Sequence, residues 1–250
     1  MSEMWGKMTR EERSIKLIQE FEPKKGYMVG NSGGKDSIVL DHLMQRAGVK
    51  YNSVFNFTTV DPPEVKQFMR EHHSNTVWLY PERTMFQGIV KYGLPTRLQR
   101  WCCEHLKHYA NKYNVVATGI RAEESVARAN NRSTLDWIEN YAMFNPILKW
   151  STRQIWLYIK EHNLPYCDLY DKGYDRIGCI GCPMSSHKQK IKEFRQYPNI
   201  KKAYIWSIQK LIDKGKYLDF DDAEDVFDWW ITGKDKGFYM AQKDQLKLEF

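Results

Sequence analysis

The fold is decided by residues 27–40, which read YMVGNSGGKDSIVL. Residues 27–29 form a short apolar run that is typical of a β-strand. Apolar residues from Ile38 onward recur at the spacing of one helical face, and this helix is expected to stop near Gly48. A strand, a glycine-rich turn and a helix in this order predict the start of a βα unit.

Strands and helices alternate along the rest of the chain. The sequence predicts strands at 52–59, 76–80 and 115–120, and helices at 9–21, 61–69 and 151–162. This alternation predicts an α/β fold with a doubly wound, mostly parallel sheet. Such sheets bind ligands beyond the carboxyl ends of their strands, and the motifs described below follow strands.

The chain length bounds the number of domains. The 250 residues suffice for one large domain or for one domain with an appendage. The composition changes near residue 187, where a lysine-rich stretch is followed by an acidic one between Asp219 and Asp228. We therefore predict a main domain at residues 1–186 and a helical C-terminal appendage at residues 187–250.

Composition excludes several classes of protein. Apolar residues make up 42% of the chain and aromatic residues 14%, which excludes disorder throughout. Five cysteines are too few for a small disulfide-rich protein, and no apolar run reaches the ~18 residues that cross a membrane. No apolar stretch near the N-terminus resembles a signal peptide, so we expect a cytoplasmic protein that does not contact membranes. The net charge of +7 indicates either an anionic partner or an ordinary basic surface.

The turn at residues 32–37 has the composition of a polyphosphate cradle. Gly33 and Gly34 let the backbone approach a ligand closely, so that successive amide N–H groups can point into one concavity. The start of the following helix adds partial positive charge, and Lys35 adds a full one. The spacing differs from the Walker A loop and from the dinucleotide G-x-G-x-x-G turn. The predicted phosphate-binding residues are Ser32, Gly33, Gly34, Lys35, Asp36 and Ser37.

Four of the five cysteines form two pairs. Cys102 and Cys103 are adjacent, and Cys179 and Cys182 form a C-x-x-C. Four thiolates can hold a tetrahedral zinc ion or an iron–sulfur cluster. Adjacent cysteines reach one metal awkwardly but can reach two irons at neighbouring corners of a cube, so the pattern favours [4Fe–4S] over zinc. Independent buried thiols are the other alternative, since disulfides are unfavourable in a reducing compartment. The fifth cysteine, Cys167, is expected to pack in the core, with transient sulfur carriage as its alternative role.

The order of these motifs resembles a known family. The hexapeptide at 32–37 is the signature of the PP-loop, the pyrophosphate-binding turn of ATP pyrophosphatases. The other motifs are GLPT at 93–96, RWCC at 100–103, GIRAEES at 119–125, LYDKGY at 169–174 and the C-x-x-C. Together they resemble the phosphoadenylyl-sulfate (PAPS) and adenylyl-sulfate (APS) reductases, a branch of the adenine nucleotide α-hydrolase-like fold.

This resemblance implies roles for particular residues. The turn would hold the phosphates of an adenine nucleotide, and Arg121, with Gly119 in the G-x-R motif, would contact the anionic part of the substrate. Lys107 matches a lysine that lies near both cluster and sulfate in the adenylyl-sulfate reductases. The implied cluster ligands are Cys102, Cys103, Cys179 and Cys182. The predicted catalytic residues are Lys35, Asp36, Lys107 and Arg121.

Two departures from the reductase pattern bear on the reaction. Those reductases attack sulfate with a cysteine in a C-terminal E-C-G-L-H tail, whereas the last cysteine of this sequence is Cys182. The reductases also tend to have a degenerate turn, whereas Lys35 and Asp36 are intact here, as in true ATP pyrophosphatases. We therefore expect ATP-dependent adenylation coupled to transfer of sulfur from a sulfur donor. Asp36 is a candidate ligand of Mg²⁺, and Asp61 is either a weaker candidate for the nucleotide site or a helix cap.

Two other functions stay open. One is reduction of adenylyl sulfate or phosphoadenylyl sulfate to sulfite, with a thioredoxin-like electron donor and with Cys167 or another protein's thiol as nucleophile. The other is a non-enzymatic nucleotide- or nucleic-acid-binding module with a structural metal. The lysine-rich stretch at 188–202 favours this second alternative only weakly.

Overall fold

The computed structural model of the protein describes residues 8–107, 115–138 and 141–248. The chain packs into two compact units that interleave along the sequence. The first, which we call the sheet unit, comprises Met1–Asn56, Pro63–Leu79 and Tyr109–Gly178. The second, the helical unit, comprises Phe57–Pro62, Tyr80–His108 and Cys179–Phe250. The division predicted between residues 186 and 187 stays a prediction, since these units are drawn from packing alone.

One six-stranded sheet lies in the described part of the sheet unit. Its strands are β1 (Tyr27–Gly30), β2 (Tyr51–Asn56), β3 (Val77–Leu79), β4 (Val115–Ala117), β5 (Leu135–Ile138) and β6 (Tyr141–Phe144). The strand order is β3-β2-β1-β4-β6-β5. Neighbouring strands are parallel except β5 and β6, which pair antiparallel. The predicted α/β fold with a mostly parallel sheet is confirmed.

The structure has eleven α-helices and one short 3-10 helix, Ala122–Glu124, within the described residues. The α-helices are α1 (Arg10–Glu20), α2 (Lys35–Ala47), α3 (Pro63–His72), α4 (Met85–Tyr92), α5 (Trp101–Leu106), α6 (Val126–Asn131), α7 (Thr152–Glu161), α8 (His187–Gln196), α9 (Pro198–Ile212), α10 (Ala223–Thr232) and α11 (Lys236–Leu248). In the part of the chain that is described, none of them is long and apolar enough to span a membrane.

Strand β1 lies in the interior of the sheet, and the order in which the chain adds strands reverses beside it. Val29 of β1 lies opposite Ser53 of β2 on one side and Ala117 of β4 on the other. The chain therefore adds β2 and β3 to one edge of β1 before it returns to place β4 at the other edge. A crevice opens at such a switch point because the loops after the two strands diverge. The loops that follow β1 and β4 are those that carry the PP-loop signature and the G-x-R motif.

Local sequence signals fix the helices that support this crevice. Thr9 begins α1 and Ser151 begins α7, each with a capping box that satisfies otherwise unpaired backbone N–H groups. Helix α2 ends at Gly48, whose φ of 68° is the left-handed conformation that glycine adopts without steric cost. Val39 and Leu40 of α2 are fully buried against the apolar residues of β1. This packing fixes where α2 begins, directly after the turn.

The helical unit has a core of its own that is rich in aromatic side chains. Phe194, Tyr204 and Trp230 pack together, and the rings of Tyr204 and Trp230 are stacked with their centroids 5.1 Å apart. Trp101 and Cys102 of α5 belong to the same core. The C-terminal helices and the helix with the adjacent cysteines therefore fold as parts of one unit.

The sequence predicts most of these elements and misses others. The predicted strands at 52–59 and 115–120 are confirmed but end earlier, at Asn56 and Ala117. The helices expected at 9–21, 61–69 and 151–162 and the helical character of 187–250 are also confirmed. The sequence did not predict α4, α5, α6, β5 or β6.

Gly88 provides a test of packing in the helical unit. A Cβ at this position would lie 2.3 Å from two ring atoms of Trp101, which is buried. We expect Gly88→Ala to destabilise the protein by about 1–3 kcal/mol, since overpacking of a core costs this much. Gly178→Ala is the control, because a Cβ there meets no heavy atom within 4 Å. Urea unfolding of both variants measures the difference, and equal stabilities would show that the Trp101 packing is wrong.

Candidate functional site

The turn after β1 is shaped by hydrogen bonds from its own backbone. The Gly33 N–H donates to Oδ1 of Asn31 at 3.1 Å, and the Ser32 N–H donates to Oγ of Ser37 at 3.2 Å. Gly33 has a φ of 70°, and a Cβ on it would come within 3.1 Å of the Val65 side chain. The turn therefore needs glycine at position 33 for both its backbone conformation and its packing.

Two cations converge on the carboxylate of Asp36. Nζ of Lys35 lies 3.3 Å from Oδ2 of Asp36, and Nε of Arg121 donates to Oδ1 at 2.6 Å. Lys35 is 5% exposed and Arg121 is 2% exposed, so both charges are held out of bulk water. Buried charges of this kind require partners, and Asp36 serves both of them.

The guanidinium of Arg121 is held in place on several sides. Its Nη1 donates to Glu123 at 2.9 Å and to the Trp150 carbonyl at 3.2 Å, and its Nη2 donates to Oγ1 of Thr152 at 3.1 Å. With the bond to Asp36, these contacts use four of the five guanidinium N–H groups. The Thr152 backbone N–H, followed by Arg121, lowers the pKa of Glu123. Arg121 is therefore oriented before any ligand binds.

Gly119, which follows β4, packs directly on the start of α2. A Cβ at this position would lie 3.0 Å from the carbonyl carbon of Asp36 and 3.1 Å from the Ser37 nitrogen. Such distances are too short for an ordinary side chain. The absence of a side chain at Gly119 lets the loops after β1 and β4 approach, and this brings Arg121 to Asp36.

Tyr170 provides a second support for Lys35. The Lys35 backbone N–H donates to the Tyr170 hydroxyl at 2.9 Å, and Nζ of Lys35 lies over the Tyr170 ring, 5.5 Å from its centroid. Nζ also donates to the Asp175 carbonyl at 3.3 Å. Burial raises the pKa of Tyr170, so its hydroxyl stays protonated at neutral pH. The Lys35 ammonium has three donors, and these contacts with Asp36 and Asp175 use two of them.

These groups line a cavity of about 650 Å³ in the sheet unit. Lys35, Arg121 and Arg176 bring positive charge to its wall, and Trp156 and Tyr170 bring aromatic surface. The two aromatic rings meet edge to face with their centroids 5.0 Å apart. Nucleotide-sized ligands occupy cavities of roughly 300–1,000 Å³. The cavity thus combines the volume, the positive charge and the aromatic wall that an anionic nucleotide needs.

The sequence-predicted residues of the turn are brought together with Gly119 and Arg121, but the wall of the cavity was missed. Tyr170 lies in a motif that carried the resemblance, although the sequence assigned it no role. Trp156 was interpreted only as part of an apolar helix face. Its aromatic side chain on α7 gives no sequence signal that separates a cavity wall from a core residue.

The adjacent cysteines lie at the start of α5 in the helical unit. Cys102 is buried and Cys103 is exposed. A hydrogen bond with Cys103 and burial raise the pKa of Cys102, and the charges of Cys179 and Cys182 raise it further. The Cys102 thiol therefore lies within electrostatic range of the other three.

Positive charge also lies beside these thiols. The hydrogen bond from Cys102 and the charges of Lys107 and Arg100 lower the pKa of Cys103 to about 6. Lys107 acts in the same direction on the pKa of Cys179, although burial, the largest effect, raises it. The structure thus places Lys107 beside the cysteines, while its role in a reaction stays a prediction.

The C-x-x-C lies in a tight loop that the rest of the helical unit holds. The Cys182 N–H donates to the Cys179 carbonyl at 3.1 Å, and the Gly181 N–H donates to Oε2 of Glu193 at 2.8 Å. Gly181 has a φ of 74°, and a Cβ on it would lie 2.6 Å from the Phe194 ring. The loop is therefore fixed by a buried carboxylate and by aromatic packing.

Asp61 also lies close to the C-x-x-C. Its carboxylate accepts hydrogen bonds from the Thr58 backbone N–H at 2.6 Å and from Oγ1 of Thr58 at 2.9 Å. Thr58 in turn lies 3.4 Å from the Cys179 sulfur. These contacts give Asp61 a structural role in the turn at 58–61, and its proposed part in a nucleotide site stays a prediction.

The four thiols of the helical unit are candidate ligands for a zinc ion or for an iron–sulfur cluster. Within the described ranges, no group of three or more His, Cys, Asp or Glu side chains is arranged to hold a metal ion. Tetrahedral zinc would require sulfur atoms within about 4 Å of one another. A [4Fe–4S] cluster spreads its four thiolates over separate irons, and the four cysteines of the helical unit supply the sulfur donors that it requires. Their role as ligands stays a prediction.

The family model described as the phosphoadenosine phosphosulfate reductase domain matches residues 26–185. The chain belongs to this family. The matched segment contains the turn, the G-x-R motif and all four paired cysteines.

Individual relatives support the family and the fold. The adenosine 5′-phosphosulfate reductase of Allochromatium vinosum is 27% identical over 194 residues, or 70% of this chain and 75% of that protein. The uncharacterized protein MJ0973 of Methanocaldococcus jannaschii is 29% identical over 88% of this chain, and the match covers 56% of its length. The chain therefore spans little more than half of that archaeal relative. A crystal structure of PAPS reductase from Candida auris has the same fold, with a TM-score of 0.52 and 20% identity over 71% of this chain and 91% of that one.

Gly119 provides a test of the cavity geometry. Gly119→Ala would place a Cβ 3.0–3.1 Å from the Asp36 and Ser37 backbone, so we expect the start of α2 to shift and the affinity for ATP to fall about tenfold. Equilibrium titration with ATP measures the change, and Gly178→Ala is the matched glycine control. Unchanged ATP affinity in Gly119→Ala would contradict the close approach of the two loops.

Proposed function

We propose that the protein is an ATP-using PP-loop enzyme of the phosphoadenosine phosphosulfate reductase family. In this proposal ATP is cleaved between its α and β phosphates, an acceptor is adenylated, and sulfur from a donor then displaces AMP. The observation that carries the proposal is the convergence of buried Lys35 and Arg121 in one cavity at the carboxyl ends of β1 and β4.

The turn is suited to the leaving group of this reaction. Cleavage at the α phosphate builds negative charge on pyrophosphate, and Lys35 lies where the partial positive charge of the α2 N-terminus adds to its own. Tyr170 and Asp175 orient Lys35, so little reorganisation is needed when the charge develops. The free N–H of the Arg121 guanidinium would bind a further phosphate oxygen.

Asp36 is the residue that would hold Mg²⁺. In the structure its two carboxylate oxygens contact Lys35 and Arg121. Asp36 would hold the metal ion of MgATP, and the Lys35 ammonium would bind the phosphates. Mg²⁺ supplies neutralisation of the charge on the phosphate oxygens. Arg121 would keep Asp36 in place through the shorter contact, at 2.6 Å.

The paired cysteines would hold a [4Fe–4S] cluster, which supplies iron that binds sulfur. The support for this assignment is the common neighbourhood of Cys102, Cys103, Cys179 and Cys182 in the helical unit. Glu193 and Thr58 hold the C-x-x-C loop, and Lys107 provides positive charge beside the thiols. These residues would keep the loop in one conformation and stabilise bound sulfur as an anion.

Reduction of adenylyl sulfate is the second candidate, and the similarity to the Allochromatium vinosum reductase favours it. This reaction needs a nucleophilic thiolate, because the thiolate must attack the sulfate group of adenylyl sulfate before sulfite is released. Cys167 does not suit this role: it is 1% exposed, and burial raises its pKa to about 11. These properties agree with the packing role predicted for Cys167. A thioredoxin-like donor would have to supply the thiolate.

Parallel assays distinguish the two reactions. Protein purified without oxygen is incubated with MgATP and sulfide, where water can take the adenylyl group in place of the acceptor and yield AMP and pyrophosphate. A separate mixture contains adenylyl sulfate and a reduced thioredoxin. We expect pyrophosphate release in the first mixture and no sulfite in the second. Sulfite release without pyrophosphate release would replace the proposal by the reductase function, and absence of both would refute both activities.

Lys35→Ala tests the turn directly. Loss of a preorganised charge at the leaving group should lower the rate of pyrophosphate release by about 10²-fold or more. The contents of iron and sulfide should be unchanged, because Lys35 belongs to the sheet unit and the cysteine pairs to the helical unit. Lys25→Ala is the control, since Lys25 is exposed. Loss of iron in Lys35→Ala would show that the two sites do not fold independently.

A further inference from the structure

Three polar side chains form a cluster next to the turn at residues 32–37, which we call the phosphate loop. They have no role in the chemistry described above. Asp41 of α2, His73 directly after α3 and Asn31 of the turn contact one another in the sheet unit. Oδ2 of Asp41 lies 3.4 Å from Nδ1 of His73, and Nδ2 of Asn31 lies 3.3 Å from the same Nδ1. The side chains of His73 and Asp41 are 11% and 6% exposed.

Two atoms of this cluster are buried without a hydrogen-bond partner. Within the residues described by the structure, these are Oδ1 of Asp41 and Nε2 of His73. Buried polar atoms without partners cost free energy and are uncommon in folded proteins. Packing alone would be served better by apolar side chains at positions 41 and 73. The polar pair therefore calls for a function.

Asn31 connects the pair to the loop. Its Oδ1 accepts the Gly33 N–H at 3.1 Å and lies 3.2 Å from Oγ of Ser37. These contacts identify Oδ1 as the acceptor, so the amide nitrogen of Asn31 is the atom that faces His73. Asn31 is 1% exposed and its backbone is fixed by a bond to Val54 in β2. Rotation of its amide would therefore break the contact with Gly33.

The two neighbours of His73 compete for one nitrogen. Nδ1 can accept a hydrogen bond from Asn31 or donate one to Asp41, but it cannot do both at once. When Nδ1 accepts from Asn31, the proton lies on Nε2, the atom without a partner. In this state Oδ2 of Asp41 accepts a bond from Gln45 at 3.4 Å.

We propose that His73 is a positioning residue that holds the phosphate loop through Asn31. The chain of contacts runs from His73 to Asn31 and then to the Gly33 N–H. This proposal rests on the proposed function to the extent that the loop binds phosphates. His73 touches no substrate atom; its part is to keep the amide of Asn31 oriented.

Binding of two nucleotides tests the proposal without any turnover. The probes are α,β-methylene-ATP, which cannot be cleaved at the bond in question, and AMP, which lacks the outer phosphates; both are titrated with Mg²⁺ into the full chain. We expect His73→Leu to lower the affinity for α,β-methylene-ATP about tenfold, since a buried hydrogen bond is lost. The affinity for AMP should change less than about twofold.

Two further variants separate positioning from a general structural role. His73→Asn places an amide oxygen near the position of Nδ1 and should restore most of the lost affinity. His72→Leu is the matched control, because His72 is the exposed neighbour in sequence and should bind both probes as the wild type does. Should His73→Leu fail to fold, His73→Ala gives the same comparison, since it also removes Nδ1 and adds no larger apolar side chain.

The outcomes are distinct. Unchanged affinity for α,β-methylene-ATP in His73→Leu or, in its place, in His73→Ala overturns the proposal. An equal loss for both probes also overturns it, because a merely structural role affects the whole site. If the wild type binds the ATP analogue more tightly than AMP but releases no pyrophosphate from ATP, the proposed activity fails while these affinities still decide the role of His73.

Discussion

The site depends on the ion cluster in which Lys35 and Arg121 share the carboxylate of Asp36. Burial of charges is costly unless each has a partner, so this cluster determines much of what surrounds it. Gly119 lacks a side chain where one would separate Arg121 from Asp36. Tyr170 and the Asp175 carbonyl complete the surroundings of Lys35. The cluster binds the loops after β1 and β4 together at the switch point and keeps two cations ready for an anionic ligand.

The sequence predicts the local part of this arrangement. Strand β1, the glycine turn and α2 are specified by residues that are close in sequence, and the resemblance to a family assigns Arg121 to the same site. Tyr170 and His73 could not be predicted, because each contacts a partner that is distant in sequence. Strands β5 and β6 were missed because they pair antiparallel with each other, outside the alternation of strands and helices that indicated the other strands. Helices α4 and α5 are short, and glycine in α4 weakens its pattern.

The C-terminal helices have a more specific role than that of an appendage, as which the sequence predicted them. Glu193 of α8 holds the Gly181 N–H, and the hydroxyl of Tyr204 in α9 donates to the Ile180 carbonyl at 3.1 Å. Trp230 of α10 lies 3.2 Å from where a Cβ of Gly181 would be. Burial raises the pKa of Tyr204 well above its ordinary value, so it remains a donor. Residues of three helices therefore form the support of the C-x-x-C loop.

The most direct test of this account is a crystal structure of the protein with a non-hydrolysable ATP analogue and Mg²⁺. We expect the outer phosphates to contact the backbone of residues 32–34 and the ammonium of Lys35. The Arg121 guanidinium should keep its bond to Asp36 while its free N–H contacts a phosphate oxygen. An analogue bound elsewhere in the sheet unit, with Lys35 still paired only to Asp36, would contradict the central claim.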